Sequence, residues 1–523
     1  MSSGARLDRE ASTLAPREID LLPQSLANLS DAKIVAAITA IALALRIYLS
    51  IFAYCISGDG IKYVQMAQDI AGGRYAHALQ SVFPPLYPAL IAALHALVPN
   101  WELCGDLVSA VLGGLTVIPI YYLMLEVMER RDLAIVAAAI VAVDPPIVRY
   151  GASVRTEAGY ICLLAISVLF VVLALRRRSV AFAAIAGVFT AITYVYRTEA
   201  VAYAAFVPVF IVIGALLWRA WSLRLAIAAA VAFGAGYLIV ASPYVAVVSA
   251  SSGHLAFSRE LHAAVMYGMG DASSDPQKWR HLGYHDQVSL LTPLLTEPRV
   301  FLGKLLSDFV MSFYFLAEAL TPVLAPLLVL GIYRRGREIL TRWPDAFLLL
   351  MVAFYFCGFS ATYTGPRFMT HLIAFMFGWI ALGILELARL IALIPAARRV
   401  SFGWIAMLTL VILTAISIQN DSYDVRGIRY AGEEVGRLSK SASIVSDDRR
   451  YAFYADAESI SFPEKQPADF CEWITTQRGD VYVAMTDKEE THYGVAGGAA
   501  CLERVARYPR GNSRYIDLYK VRN

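Results

Sequence analysis

A carboxylate set between two glycines, Gly58-Asp59-Gly60, and two copies of one tetrapeptide, Arg155-Thr156-Glu157-Ala158 and Arg197-Thr198-Glu199-Ala200, stand out in a chain poor in charge. Each lies at the edge of a long apolar run, as does Arg367 in Pro366-Arg367-Phe368. Ionisable groups at membrane depth cost about 2.5–3.5 kcal/mol or more and usually mark a pathway or a site. Acids beside arginines suit the transfer of a group from a lipid phosphate. The arginines hold the anionic phosphate and stabilise the charge that grows as it leaves, while an acid takes the proton of an acceptor hydroxyl. A phosphate leaving group needs no general acid, so one base suffices, unlike the paired acid and base of a glycosidase. Plainer readings exist: Thr-Glu is a good helix start, and span-end arginines often snorkel, including Arg46 within the first apolar run. What favours chemistry is agreement in side and depth.

That agreement depends on topology. Of 523 residues 58% are hydrophobic and only 17% charged, against about 25% charge in an ordinary soluble domain. The 45 basic and 42 acidic residues nearly cancel, which argues against a nucleic-acid-coating protein and makes the bilayer the expected partner. Residues 1–33 are polar and read as a cytoplasmic tail, with no cleaved signal sequence. Residues 34–419 form a series of apolar windows of roughly 15–25 residues, near the length that crosses ~30 Å of hydrocarbon. The fold class expected is a polytopic α-helical membrane protein with about eleven spans: 34–56, 107–128, 133–148, 157–175, 180–196, 200–217, 225–249, 309–333, 345–363, 368–387 and 402–418. The stretch Pro84 to Val98 is short, opens on two prolines and lacks a following basic residue, so it is read as a helix lying on the outer leaflet. Basic residues concentrate in the turns at Arg130-Arg131, Arg176 to Arg178, Arg219 to Arg224, Arg334 to Arg342 and Arg389 to Arg399, which are therefore cytoplasmic. Asp59, Glu157, Glu199, Arg197 and Arg367 then all fall on the outer side.

Residues 420–523 regain charge and alternate helical with strand-like runs, as a small α/β extracytoplasmic domain would. Helices are expected at Ala431 to Lys440 and Ala468 to Thr476. Strands are expected at Ser443 to Asp447, Asp480 to Thr486, Glu503 to Tyr508 and Tyr515 to Val521. The six cysteines show no zinc-ligand spacing. Cys471 and Cys501 can pair in an oxidising compartment, whereas Cys55 and Cys104 read as unlinked thiols. His281 and His285, spaced i, i+4 beside Asp286 in the loop Ala250 to Ser307 with His254 and His262, read as a surface helix rather than a metal site. No metal site is indicated, and no cofactor is assigned.

The order of these motifs resembles the GT-C glycosyltransferases, closest to bacterial family-39-like members related to protein O-mannosyltransferases and lipid A aminoarabinose transferases. The resemblance rests on Asp59-Gly60 with Tyr63, Phe83-Pro84-Pro85-Leu86-Tyr87-Pro88, Asp144-Pro145-Pro146 ahead of Glu157, Tyr196-Arg197-Thr198-Glu199, Pro366-Arg367-Phe368, and Ser443 to Asp448 through Tyr451 and Tyr454. It spans about residues 34 to 460. It implies an inverting transfer of one sugar from a polyprenyl-phosphate donor to a glycan, lipid or protein acceptor at the extracytoplasmic face of the cell (inner) membrane. Asp59 matches the catalytic acid and Glu157 the second acidic site. Arg197 and Arg367, with Arg155, match phosphate contacts, and Tyr63, Tyr87 and Glu199 are candidate substrate contacts. Many members carry two adjacent acids in the first loop; here Gly60 follows Asp59, which weakens any metal role taken from the oligosaccharyltransferase branch. The long loop is expected to cover the site and help choose the acceptor. Two other readings fit the same residues: a carrier of lipid-linked sugars without chemistry, and a non-catalytic glycan-binding membrane protein. A carrier should show repeat-related halves and helices broken near the midplane; here the unusual charges cluster at one face instead, which favours an enzyme.

Overall fold

A computed structural model of the chain describes residues 28–522 apart from 53–54, 260–263, 266–293, 296, 398, 420–424, 464–468, 496–498 and 511–513. The loop histidines His262, His281 and His285, with Asp286, lie outside the described residues, as does most of the proposed cytoplasmic tail.

Among the described residues, eight helices are long and apolar enough to cross a membrane, and a bent pair, Arg131–Val143 with Pro145–Gly151, makes a ninth. Two shorter apolar helices, Val180–Tyr196 and Phe402–Ile418, coincide with the remaining two expected spans. The chain is a multi-pass membrane protein. Leu86–His95 is only 10 residues long, about 15 Å at 1.5 Å per residue, half of what crossing requires.

The 52° bend shows how sequence becomes shape. Pro145 and Pro146 have no N–H, so the carbonyls of Val141 and Ala142 lose their helical donors. Arg46, fully buried in the first span, supplies replacements: its guanidinium donates to Val141 O and Ala142 O, 3.0 Å each. The expectation that Arg46 snorkels is therefore replaced by a structural role at the break. Asp144 caps the second half through the Ile147 amide at 3.2 Å.

Several expected cytoplasmic turns meet in one belt of ion pairs. Arg176 pairs with Glu126 and Glu129, Arg342 with Glu129 and Asp345, and Arg335 with Asp345. Helices that pack through the layer approach closely where glycines allow it. A Cβ on Gly331 would stand 1.8 Å from Trp379 O, and one on Gly383 1.9 Å from Leu327 O.

The tail is a five-stranded sheet, β1 (Ala442–Val445), β2 (Glu458–Ile460), β3 (Asp480–Thr486), β4 (Leu502–Arg510) and β5 (Arg514–Val521), ordered β2-β1-β3-β5-β4. β1 runs parallel to both neighbours, while β5 pairs antiparallel with β3 and β4. Apolar residues cover both faces: Ile428, Ala431 and Val435 of the helix Arg426–Leu438 on one side, Phe470 and Ile474 of Phe470–Thr475 on the other. A disulfide joins Cys471 to Cys501, and Cys55 and Cys104 are free thiols. β2 and the helices Arg450–Ala455 and Asp487–His492 were not expected; each is six residues or fewer, too short for periodicity to declare itself.

Candidate active site

Asp59 sits in the first turn of the helix Gly58–Ala71, which begins where the Ser57 hydroxyl accepts the Gly60 amide at 3.0 Å. The turn is wedged against the chain leading to Glu157: Ser57 Oγ donates to Val154 O at 2.9 Å, and a Cβ on Gly60 would fall 3.1 Å from that same oxygen. Glu157 opens the helix Glu157–Arg176 and its side chain is wholly buried. Arg367 opens the helix Pro366–Ile373, one residue after a proline whose missing N–H costs nothing at that position.

These three ends converge. Arg367 Nη1 donates to Asp59 Oδ2 at 2.7 Å, and Arg367 Nε donates to Glu157 Oε1. Arg197, held between Val180–Tyr196 and Ala200–Leu217, donates from Nη1 to the same Glu157 oxygen at 3.3 Å and to Thr156 Oγ1 at 3.0 Å. Its Nε reaches Glu199 Oε1 at 2.7 Å. Burial alone would lower the Arg197 pKa, but Glu199 and Glu157 outweigh it and hold it well above the usual arginine value. The Thr156 hydroxyl thus accepts from a guanidinium and makes no helix cap, contrary to the plainer reading. Among the described residues these contacts use Nε and Nη1 of each arginine and not Nη2.

Asp59, Tyr63, Arg197, Glu199 and Arg367 line one cavity of about 600 Å³. Tyr63 also faces Thr156, 3.5 Å between hydroxyls, and burial, then the Asp59 charge, keeps its phenol protonated far above ordinary pH. Two expected contacts stand apart. Tyr87 is fully buried behind the Tyr63 ring, 5.1 Å between centroids, and its hydroxyl is satisfied by Gly105 O and Ser109. Arg155 lines a second cavity of about 580 Å³ with Arg149, Tyr150, Glu318 and Arg450, its guanidinium over the Tyr150 ring at 5.3 Å. Tyr160 bonds Tyr355 at 2.9 Å in the interior. Lys304 ties Asp308 to the carbonyls of Ser360 and Thr362.

Sequence reading gave no role in the site to Asp447, Asp448 and Arg449 of the tail, which line the first cavity too. The available signal was their place directly after an apolar strand, because α/β sheets bind ligands beyond the carboxyl ends of their strands. Among the described residues no three His, Cys, Asp or Glu side chains are grouped as metal ligands.

The architecture matches known proteins across nearly its whole length. ArnT from Cupriavidus metallidurans bound to undecaprenyl phosphate superposes with a TM-score of 0.58 at 12% identity, over 94% of this chain and 98% of that one. The fold is that of the GT-C glycosyltransferases. The apo form of the same ArnT gives 0.56 at 11% identity, over 93% and 98%. An Archaeoglobus fulgidus oligosaccharyltransferase complexed with Zn and sulfate gives 0.53 at 14% identity, over 88% of this chain and 69% of that one. Residues 82–246 also match the family described as dolichyl-phosphate-mannose-protein mannosyltransferase. No curated protein matches by sequence. The GT-C fold thus covers both the membrane helices and the tail.

Proposed function

We propose that the protein transfers a sugar from a polyprenyl-phosphate donor to an acceptor hydroxyl, with inversion, at the extracytoplasmic face of the inner membrane. In this reading the amino terminus is cytoplasmic, residues 34–419 are the catalytic unit, and residues 420–523 form the extracytoplasmic domain. The observation that carries it is the Asp59–Arg367–Glu157 bridge beside Arg197 on one cavity. Family likeness adds support, since the matched family is named for a lipid-phosphate sugar donor and one similar structure binds undecaprenyl phosphate.

The donor phosphate binds Nη2 of Arg197 and Arg367 and competes with Asp59 for Arg367. That competition frees Asp59 beside the acceptor. Asp59 accepts the hydroxyl proton as the acceptor oxygen bonds the sugar's anomeric carbon from the face opposite the phosphate. The bond from that carbon to the phosphate oxygen breaks, and its electron pair leaves with the polyprenyl phosphate. Glu157 is the fixed counter-charge that keeps both guanidiniums in register, and Glu199 steers Arg197 from the other side. Tyr63 serves as a neutral donor toward the sugar, with Tyr87 packed edge-on behind it. Arg155, in the second cavity with Arg149 and Arg450, meets the anionic headgroup as the lipid approaches.

The test is reconstitution in liposomes with radiolabelled undecaprenyl-phosphate sugars and envelope acceptors, followed by mass spectrometry of lipid and glycan products. Consumption of donor with release of undecaprenyl phosphate supports the reading. Translocation of intact donor without consumption makes the protein a carrier instead.

A further inference from the structure

The loop after β1 is ordered with one side chain and leaves its neighbours unused. Asp448 accepts Arg450 Nε at 2.9 Å, Arg450 Nη2 at 2.6 Å and the Arg450 amide at 3.0 Å, while Ser446 Oγ donates to the Asp448 carbonyl at 2.9 Å. The side chains of Asp447 and Arg449, on either side of it, are exposed and make no hydrogen bond or ion pair with any described residue. Both line the cavity that holds Asp59, Arg197 and Arg367.

The loop is also fixed in space. In the helix that follows it, the Tyr454 hydroxyl accepts the Ile56 amide at 2.6 Å and donates to Glu102 Oε1 at 2.7 Å, and Arg429 lies 5.0 Å over the Tyr454 ring while pairing with Glu102 at 3.5 Å. The tail is thereby bolted to the turn preceding Asp59 and to the helix starting at Trp101. A carboxylate and a guanidinium that bond no described residue, two residues apart on this loop, form a recognition pair that accepts and donates at once.

We propose that Asp447 and Arg449 are acceptor-specificity residues, which bind the hydroxyls of a glycan acceptor and present its nucleophilic hydroxyl to Asp59. This rests on the glycosyl-transfer reading. The acceptor is favoured over the donor because the donor phosphate belongs with Arg197 and Arg367, at the ends of membrane helices, whereas this loop comes from the part of the chain without spans. A glycan is favoured over an acyl chain because the loop offers charges of both signs, and Phe83, Tyr363 and Phe368 in the same cavity offer ring faces.

The experiment uses the full-length protein in nanodiscs, wild type, Asp447→Asn, Arg449→Gln and the tail control Glu503→Gln. Undecaprenyl phosphate is the binding probe. A radiolabelled undecaprenyl-phosphate sugar and the glycan, lipid and peptide fractions of the envelope serve for transfer. Losing one charged hydrogen bond should raise the KM for the glycan fraction about ten- to hundredfold in the first two variants, with kcat and undecaprenyl phosphate binding near wild type. Unchanged glycan KM, or an equal loss of undecaprenyl phosphate binding, overturns the proposal. Transfer by wild type only to the lipid or peptide fraction overturns the glycan assignment. A wild-type protein that binds undecaprenyl phosphate but transfers nothing sinks the transferase reading, and this inference with it.

Discussion

Arg367 donates to Asp59 across 2.7 Å, although 308 residues separate them in the chain. Because the same guanidinium also holds the buried Glu157, the proposed base is restrained by a group that the proposed donor phosphate would engage. Ligand binding and release of the base are then one event.

Replacing Asp59 by Asn should lower transfer about 10²–10⁴-fold, the contribution typical of a positioned base. The Asp59 side chain is 39% exposed, and ion pairs of that kind contribute at most about 1 kcal/mol to stability. Thermal unfolding in detergent should therefore stay near wild type while product vanishes from the mass spectrum. Undiminished turnover would remove Asp59 from the chemistry.

Glu157 is a different case, with a fully buried side chain facing two guanidiniums. Glu157→Ala leaves those charges without their shared partner, and breaking a buried pair this way costs about 3–5 kcal/mol. Its unfolding midpoint should fall clearly, and adding Arg367→Ala should cost less than the sum of the two single changes. Strict additivity in that cycle would contradict the bridge.

Arg367→Lys keeps the charge but loses the fork that reaches two carboxylates from Nε and Nη1 at once. The KM for the polyprenyl-phosphate donor should rise about tenfold or more. Steady-state kinetics with varied donor measure this, and a KM equal to wild type would exclude Arg367 as a phosphate contact.

Gly383→Ala brings a methyl within 1.9 Å of the Leu327 carbonyl, a backbone atom that cannot swing aside. Overpacking of this kind typically costs about 1–3 kcal/mol. Gly234→Ala, where nothing lies within 4 Å, should be neutral or slightly stabilising. Comparing the two melting curves tests the helix contact directly.

In the tail, the Cys471–Cys501 link closes a separation of 30 residues, worth about 3–4 kcal/mol in the chain-entropy account. Alkylation of the denatured, unreduced protein should label the four thiols Cys55, Cys104, Cys162 and Cys357. Six labels without reductant would show the pair to be open.

The spans were legible because a bilayer imposes a length and a composition on any helix that crosses it, whatever its neighbours. The eleven expected segments fall on helices for that reason, and Leu86–His95 betrayed its shortness the same way. Asp59, Glu157, Arg197, Glu199 and Arg367 were legible because charge at the edge of hydrocarbon is expensive and therefore conspicuous. Arg46 was misread: a sequence exposes its cost but not the two carbonyls, nearly a hundred residues away, that repay it.

What the sequence determined alone was thus a set of separate commitments, each local: helix lengths, the clustering of basic residues in alternate turns, and a few costly charges. Which groups touch was decided only by tertiary packing. Arg367 meets Asp59 and Glu157, Arg155 turns to a second cavity, Tyr87 retreats behind Tyr63, and the tail lends Asp447 and Arg449 to the first. Local patterns register the cost of burying a group, whereas the partner that offsets that cost is chosen by contacts between segments far apart in the chain.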